Sequence, residues 1–343
     1  MPAANFRRAF DLSLHKNCTI KVLFKLNTSS IPLTIYRADP SFLNALTFDK
    51  LKQFAFRPID NLPEKKGWGF TNFDDMFDVG WTKSVPEKGQ YFTFGFRIDS
   101  RTVPPSIIKK HYAEMEAEEL ERIKAGGKKF LSRERKKELR VLCKSRLLSR
   151  TEPRPAMYGV AVNIKTGLVY VACVSKTVLE LLESYLKTAF SSVPERIFPD
   201  TLSTLASEHP FEEFLRDLYI ESMMLSLNAH KYHVAEQGKA TLAQENGPSV
   251  SVNDAPDSAR AGLESGLHIK SLKLRLSLMP EEEQVSTFTL HSDFSFTGLK
   301  TPRVKREKGD SDPDTLFLLK INYIEEIVSV MHSLFRQFCG EKK

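Results

Sequence analysis

The sequence predicts an α+β fold in which antiparallel sheets pack against helices. Apolar and polar residues alternate in runs such as 91–98, which is typical of a strand with one face in the core. Apolar residues three or four apart, as in 178–190, indicate amphipathic helices. Two β-rich runs, 158–164 and 168–174, flank the turn sequence Lys165-Thr166-Gly167, and strands joined by so short a turn pair antiparallel. Hairpins with packed helices favour α+β over a parallel sheet.

The first region, residues 1–102, is expected to be an α+β unit. Its alternating runs predict strands at 19–26 and 32–36, ahead of the strand at 91–98. Apolar residues at helical spacing predict one helix over 41–56. The glycines on either side of Trp68 indicate a loop.

Residues 103–150 predict a projecting pair of charged helices. Pro104-Pro105 opens the first helix, because proline is tolerated at a helix start, and Gly126-Gly127 ends it. Its apolar stripe is narrow, which suits a helix that stands partly in solvent. The second helix is expected from about residue 131 to about residue 148.

The region 151–240 is expected to contain the hairpin and two helices, at 178–190 and 211–227. A polar stretch rich in Ser, Asn, Asp, Gly and Pro follows at 241–266 and predicts a linker. The remaining region, 267–343, predicts a second α+β unit. Its expected elements are strands at 269–278 and 285–290, a charged loop at 301–314, a strand at 316–321 and a terminal helix at 324–338.

Composition sets several classes of protein aside. No apolar run approaches the roughly 20 residues of a membrane-spanning helix, and residues 1–17 lack the apolar stretch of a signal peptide. The four cysteines are far apart and form no CxxC pair, which argues against a disulfide scaffold or a zinc ribbon. We therefore expect a cytoplasmic protein whose cysteines are small core residues.

The positive charge is concentrated in the helical pair. The chain has 50 Lys and Arg against 43 Asp and Glu, a net charge of +7. Residues 107–150 hold 14 basic and 7 acidic residues, so this segment alone accounts for the net excess. From 122 to 150 there are 12 basic residues and only two acidic ones, Glu134 and Glu138.

The second helix carries its basic residues in a row. Spacings of 4, 3 and 4 place four cations on one face, namely Arg133, Lys137, Arg140 and Lys144. The opposite side is expected to be apolar, through Leu131, Leu139 and Leu142. Arg135 falls on that apolar side, as does Arg146, so either their stems snorkel or the helix is less regular than this spacing assumes. The supporting cations are Lys129, Lys136, Arg146 and Arg150.

A row of one charge sign repels itself, and an anionic partner relieves the repulsion. Cations at intervals of one helical turn can neutralise backbone phosphates and bind nucleic acid without reading its sequence. The alternatives are a solvated charged face, a helix lying on a membrane, or a contact with an acidic protein. The short apolar side, with no aromatic residue beyond Phe130, argues against the membrane.

Signals for catalysis and for cofactors are weak. There is no GxxxxGK[ST] loop and no GxGxxG after a strand. His230 and His233 could share one helix face, but the nearest acid is Glu236. Two acidic groups lack the spacing of a calcium loop; they are the pair Asp74 and Asp75 and the cluster Asp310, Asp312 and Asp314. We predict no catalytic residue, no metal site and no cofactor.

The order of several short motifs resembles the RdgC family, the recombination-associated DNA-binding proteins of bacteria and their phages. The motifs that carry the resemblance are Phe56-Arg57-Pro58, Val79-Gly80-Trp81, Val103-Pro104-Pro105-Ser106-Ile107-Ile108-Lys109, Ser145-Arg146-Leu147-Leu148-Ser149-Arg150, Thr166-Gly167-Leu168-Val169-Tyr170-Val171-Ala172-Cys173-Val174-Ser175 and Leu263-Glu264-Ser265-Gly266. The chain departs from the family pattern at Leu148, where an aromatic residue is expected, by insertions before Gly159 and Trp81, and in its N-terminal extension.

The resemblance implies a ring-shaped homodimer that encircles double-stranded DNA, binds without sequence preference and restrains RecA-promoted strand exchange. It also implies association with the nucleoid. We therefore expect a non-enzymatic, sequence-independent DNA-binding protein, with single-stranded DNA as a further candidate ligand. Because relatives have also been labelled exonucleases, the rival expectation is a metal-dependent DNA exonuclease.

Overall fold

The computed structural model describes residues 30–60, 62, 64–126, 130–198, 210–244, 247–302 and 313–341. Three sequence predictions lie outside the described residues: the strand at 19–26, the cation Lys129, and the acids Asp310 and Asp312.

The described strands form one antiparallel sheet of thirteen strands, which confirms the α+β class. Its strands are β1 Ile31–Arg37, β2 Lys66–Thr71, β3 Glu87–Lys88, β4 Tyr91–Ser100, β5 Arg154–Asn163, β6 Leu168–Val171, β7 Glu195–Arg196, β8 Met223–Leu227, β9 His230–Ala243, β10 Ser249–Asn253, β11 His268–Met279, β12 Glu283–His291 and β13 Phe296–Lys300. The spatial order is β10-β9-β11-β12-β13-β1-β6-β5-β4-β2; β3 pairs with β4, β7 with β1 and β8 with β9. Strand β1 thus joins the N-terminal strands to the C-terminal ones.

The described helices pack on both faces of this sheet, apart from two that contact mainly each other. They are α1 Pro40–Ala45, α2 Phe48–Gln53, α3 Pro105–Ala125, α4 Arg133–Arg150, α5 Lys176–Phe190, α6 Pro210–Ile220, α7 Pro256–Glu264 and α8 Pro313–Glu341. Five of these begin with proline, whose fixed φ suits the first helical position and whose missing N–H has no intrahelical acceptor there.

Two hydrophobic cores lie on opposite faces of the sheet. Strand β1 contributes to both, since Ile31 and Ile35 belong to one core and Tyr36 to the other. Strand β6 divides in the same way, with Tyr170 in the first core and Val171 in the second. Helices α6, α7 and α8 cover the first face, and α1, α2 and α5 cover the second.

The strong sequence patterns are confirmed by the structure. The strands at β4, β11 and β12 form as expected, and β5 pairs antiparallel with β6 across the predicted turn. The amphipathic helix α5 also forms. The single helix predicted over 41–56 is instead two short helices, because the side chain of Thr47 caps a new start by accepting from the Lys50 amide at 3.4 Å.

Two predictions about short apolar runs were wrong. The helix expected over 211–227 ends at Ile220, and Met223–Leu227 is a strand that pairs with β9. The strand expected at 316–321 belongs to α8, as does the predicted terminal helix. Short apolar runs fit either element by periodicity alone, so tertiary packing decides between them.

The segment predicted as a linker, 241–266, is largely structured. It contains the end of β9, the strand β10 paired on β9, and helix α7, whose Ala259 is fully buried. Strands β2 and β13 were also missed. These strands contain polar residues or glycine, so their sequences show little alternation of apolar and polar residues. Pairing with their neighbours stabilises them more than burial of their own side chains does.

Candidate nucleic-acid interface

Helices α3 and α4 form an antiparallel pair, here called the basic hairpin. Their bounds match the sequence expectation closely. The hydroxyl of Ser132 caps α4 by accepting from the Arg135 amide at 3.2 Å. At the other end Leu148 is buried, which anchors the last turn of α4.

Part of the positive charge of α4 is neutralised by α3. Lys136 Nζ lies 2.9 Å from Glu116 Oε1, and Arg135 Nη2 lies 2.8 Å from Glu119 Oε1. The hydrogen bond between Lys136 and Glu116 raises the pKa of the ammonium and lowers the pKa of the carboxyl. Hydrogen bonds to Glu138 and then to Glu119 raise the pKa of Arg135. Lys136, predicted as a supporting DNA contact, is therefore already engaged within the hairpin.

Arg140 is also turned toward α3. Its guanidinium lies 5.0 Å from the centre of the Tyr112 ring, a cation–π distance. The side chain remains exposed although its guanidinium lies over the tyrosine ring, so it can still be reached by a ligand. Of the predicted row, Arg140 is the member nearest to the helix–helix contact.

The other three members of the row, Arg133, Lys137 and Lys144, form the outer row. All three are exposed, and within the described part of the chain no carboxylate pairs with any of them. They span 11 residues of helix, about 16 Å at about 1.5 Å per residue. Arg146 and Arg150 are likewise exposed and have no ion pair among the described residues. The hairpin thus presents uncompensated positive charge along one side of α4.

The predicted apolar back of α4 is partly wrong. Leu139 is buried as expected, but Leu142 is 42% exposed, and its place in the contact is taken by Cys143. Cys143 follows Leu139 by one helical turn, so these two side chains face α3 together. Arg135 does not snorkel over leucines, since it pairs with Glu119 and Glu138.

The side chain of Cys143 is buried in the basic hairpin. Burial raises the pKa of its thiol, and Sγ lies 3.9 Å from the Ile108 carbonyl oxygen. We expect Cys143, Cys173 and Cys339, which are all buried, to resist Ellman's reagent in a folded Cys18→Ser background and to react once guanidinium unfolds the chain. Leu139→Ala should speed the reaction of Cys143 by loosening the hairpin. A fast reaction in the parent variant would contradict this packing.

The acidic candidates that the structure describes, Asp74, Asp75 and Asp314, are each paired with a lysine. Lys88 Nζ is 2.7 Å from Asp74 Oδ2 and also pairs with Asp314, while Lys83 pairs with Asp75. In the described residues no three His, Cys, Asp or Glu side chains come together as a metal ion would require. Sequence reasoning missed this cluster, since Lys88 and Asp314 are 226 residues apart.

The paired histidines do not share a helix face. His230 and His233 lie on strand β9, and a separation of three residues places them on opposite faces of a strand. The helical arrangement considered for these histidines does not form, because this run pairs with both β8 and β11.

Comparison with known proteins adds no relative: neither a family model nor a curated protein matches the chain. Across the described residues, every helix is too short or too polar to cross a bilayer.

Proposed function

We propose that this chain binds double-stranded DNA through the outer row without reading base sequence. One observation carries the proposal: the outer row is exposed and pairs with no carboxylate of the described residues, while neighbouring cations of the same helix are paired with acids of α3. Cations one and two helical turns apart along an exposed edge suit a polyanion whose charges repeat along a line. A small anion would need converging donors, and the row is extended.

The hairpin also separates its two charge signs. Glu116 and Glu119 face α4, so they screen Lys136 and Arg135 but not the outer row. Contacts of this kind reach phosphate oxygens and carry no base information. The proposed function has no catalytic step and no cofactor.

The family resemblance extends the proposal to assembly and pathway. A ring-shaped homodimer around the duplex would place two outer rows on one DNA molecule, and its role would be to restrain RecA-dependent recombination at the nucleoid. Light scattering is expected to give twice the chain mass. A closed ring is also expected to bind linear duplex better than relaxed circular duplex of the same sequence.

The experiment is a gel-shift assay with two end-labelled linear duplexes of unrelated sequence, with and without Mg²⁺, over a series of salt concentrations. DNA binding predicts equal shifts of both duplexes, intact DNA, and log K falling linearly with log salt. Shortened products that need Mg²⁺ would replace the proposal with a metal-dependent exonuclease. No shift at moderate salt would instead favour an acidic protein as the partner of the hairpin.

A further inference from the structure

A cavity of about 250 Å³ lies between the sheet and helix α8, away from the basic hairpin. Its floor is the face of β1 and β6 that carries the first core, and its roof is one side of α8. Glu325, Ser329 and His332 follow one another at i, i+4 and i+7 of α8, so they line the roof together. Three polar side chains in this position contrast with the buried apolar residues beside them on the same helix, which are Ile324, Ile327 and Met331.

The inner end of the cavity holds a buried hydroxyl without a partner. Tyr170 is fully buried, and its hydroxyl makes no hydrogen bond to any described residue. Leaving such a group unsatisfied costs about 1–3 kcal/mol, so native structures usually supply a partner. Burial, and then the charge of Glu325 and the approach of its carboxylate to the hydroxyl, raise the pKa of Tyr170, so the hydroxyl stays protonated and can donate. The Glu325 carboxylate accepts instead from Asn163 Nδ2, at 2.8 Å.

One cation, Arg37, lines this cavity together with one carboxylate, Glu325. Arg37 is the last residue of β1 and pairs in register with Leu168 of β6. Its side chain is exposed, and it forms no ion pair with any described residue. The pKa of His332 is lowered by burial, and then by the charges of Arg336 and Arg37. The wall between the two ends is apolar, through Leu168, Ile197 and Phe294.

We propose that this cavity binds a small aromatic or short aliphatic carboxylate, with the carboxylate at Arg37 and a hydrogen-bonding group at the Tyr170 hydroxyl. The volume limits the ligand, since drug-sized pockets measure about 300–1,000 Å³. A single ring with two opposed polar substituents meets the guanidinium at one end and the phenol at the other. This site is separate from the DNA-binding proposal, and either can fail without the other.

The test uses 4-hydroxybenzoate, benzoate and neutral benzyl alcohol as probes, with binding followed by ligand-observed NMR on the full chain. We expect both acids to bind and Arg37→Gln to weaken both at least tenfold. Tyr170→Phe should weaken 4-hydroxybenzoate more than benzoate, because only the former reaches the phenol. Tyr36→Phe is the matched control, since this hydroxyl bonds Glu183 on the other face of the sheet.

Arg37 is exposed, so the Arg37→Gln variant leaves the core unchanged and is expected to fold. Ser329→Leu, which places a larger side chain in the roof, is expected to abolish binding of both acids. Absence of binding at millimolar probe, or binding that neither Arg37→Gln nor Ser329→Leu changes, would overturn the proposal. Equal binding of benzyl alcohol would also overturn the assignment of a carboxylate.

Discussion

The triple variant Arg133→Ala, Lys137→Ala and Lys144→Ala is expected to bind duplex DNA about 100-fold more weakly near 0.15 M salt. Each lost phosphate contact removes up to about 0.9 from the slope of log K against log salt, so three contacts remove up to about 2.7. At this salt concentration the lost counterion release corresponds to roughly two orders of magnitude in affinity. The loss should be the same for every duplex sequence, since phosphate contacts carry no base information.

The matched control removes three exposed lysines that lie outside the hairpin. Lys165, Lys176 and Lys187 are exposed, and their replacement by Ala lowers the net charge by the same amount. This control should leave the slope nearly unchanged, because only the location of the charge differs. An unchanged slope in the outer-row variant, or an equal loss in the control, would remove the outer row from the DNA interface.

Lys88→Ala is expected to lower the free energy of unfolding by about 3–5 kcal/mol. The side chain of Lys88 is only 1% exposed, and its ammonium bridges Asp74 and Asp314. Removing one partner of a buried ion pair costs about this much, because the remaining charges stay without compensation. Chemical denaturation followed by circular dichroism measures the loss.

Lys83→Ala is the matched control for Lys88. Lys83 is 53% exposed but its partner Asp75 is only 6% exposed, so we expect a loss of about 1–3 kcal/mol, smaller than for Lys88→Ala. The two variants should also differ in alkali. Burial lowers the pKa of Lys88, but hydrogen bonds to Asp314 and Asp74 outweigh it and the net pKa is raised from 10.5. Its stabilisation is therefore fully present below pH 10.5 and is lost as the pH rises through the folded-state pKa, so the gap between wild type and Lys88→Ala should close there.

The basic hairpin could be predicted from sequence because its signals are local. Proline opens α3, glycine follows it, and the spacing within α4 identifies the exposed row. The split of α4 cations into paired and free ones could not be predicted, since it depends on how α4 is rotated against α3. Lys136 and Lys137 are neighbours in sequence, yet one meets Glu116 and the other faces solvent.

Features that depend on residues far apart in the chain could not be predicted from the sequence. The bridge from Lys88 to Asp314 crosses 226 residues, and the cavity at Tyr170 arises only where α8 lies across the sheet. Strand β10 is polar and short, and its pairing with β9 stabilises it rather than any alternation of its own. Sequence periodicity reports burial along one element, whereas these features depend on which elements meet.

The central place of β1 has a consequence for synthesis on the ribosome. One edge of β1 pairs with β6, but the other pairs with β13, and Ile31 meets Leu299 about 270 residues later. At about 5–20 residues per second, roughly 13–54 s pass between translation of the two strands. During that interval the nascent chain carries an unpaired strand edge, which is a template for pairing with other chains. Newly made protein is therefore most vulnerable to aggregation until β13, in the last third of the chain, has been translated.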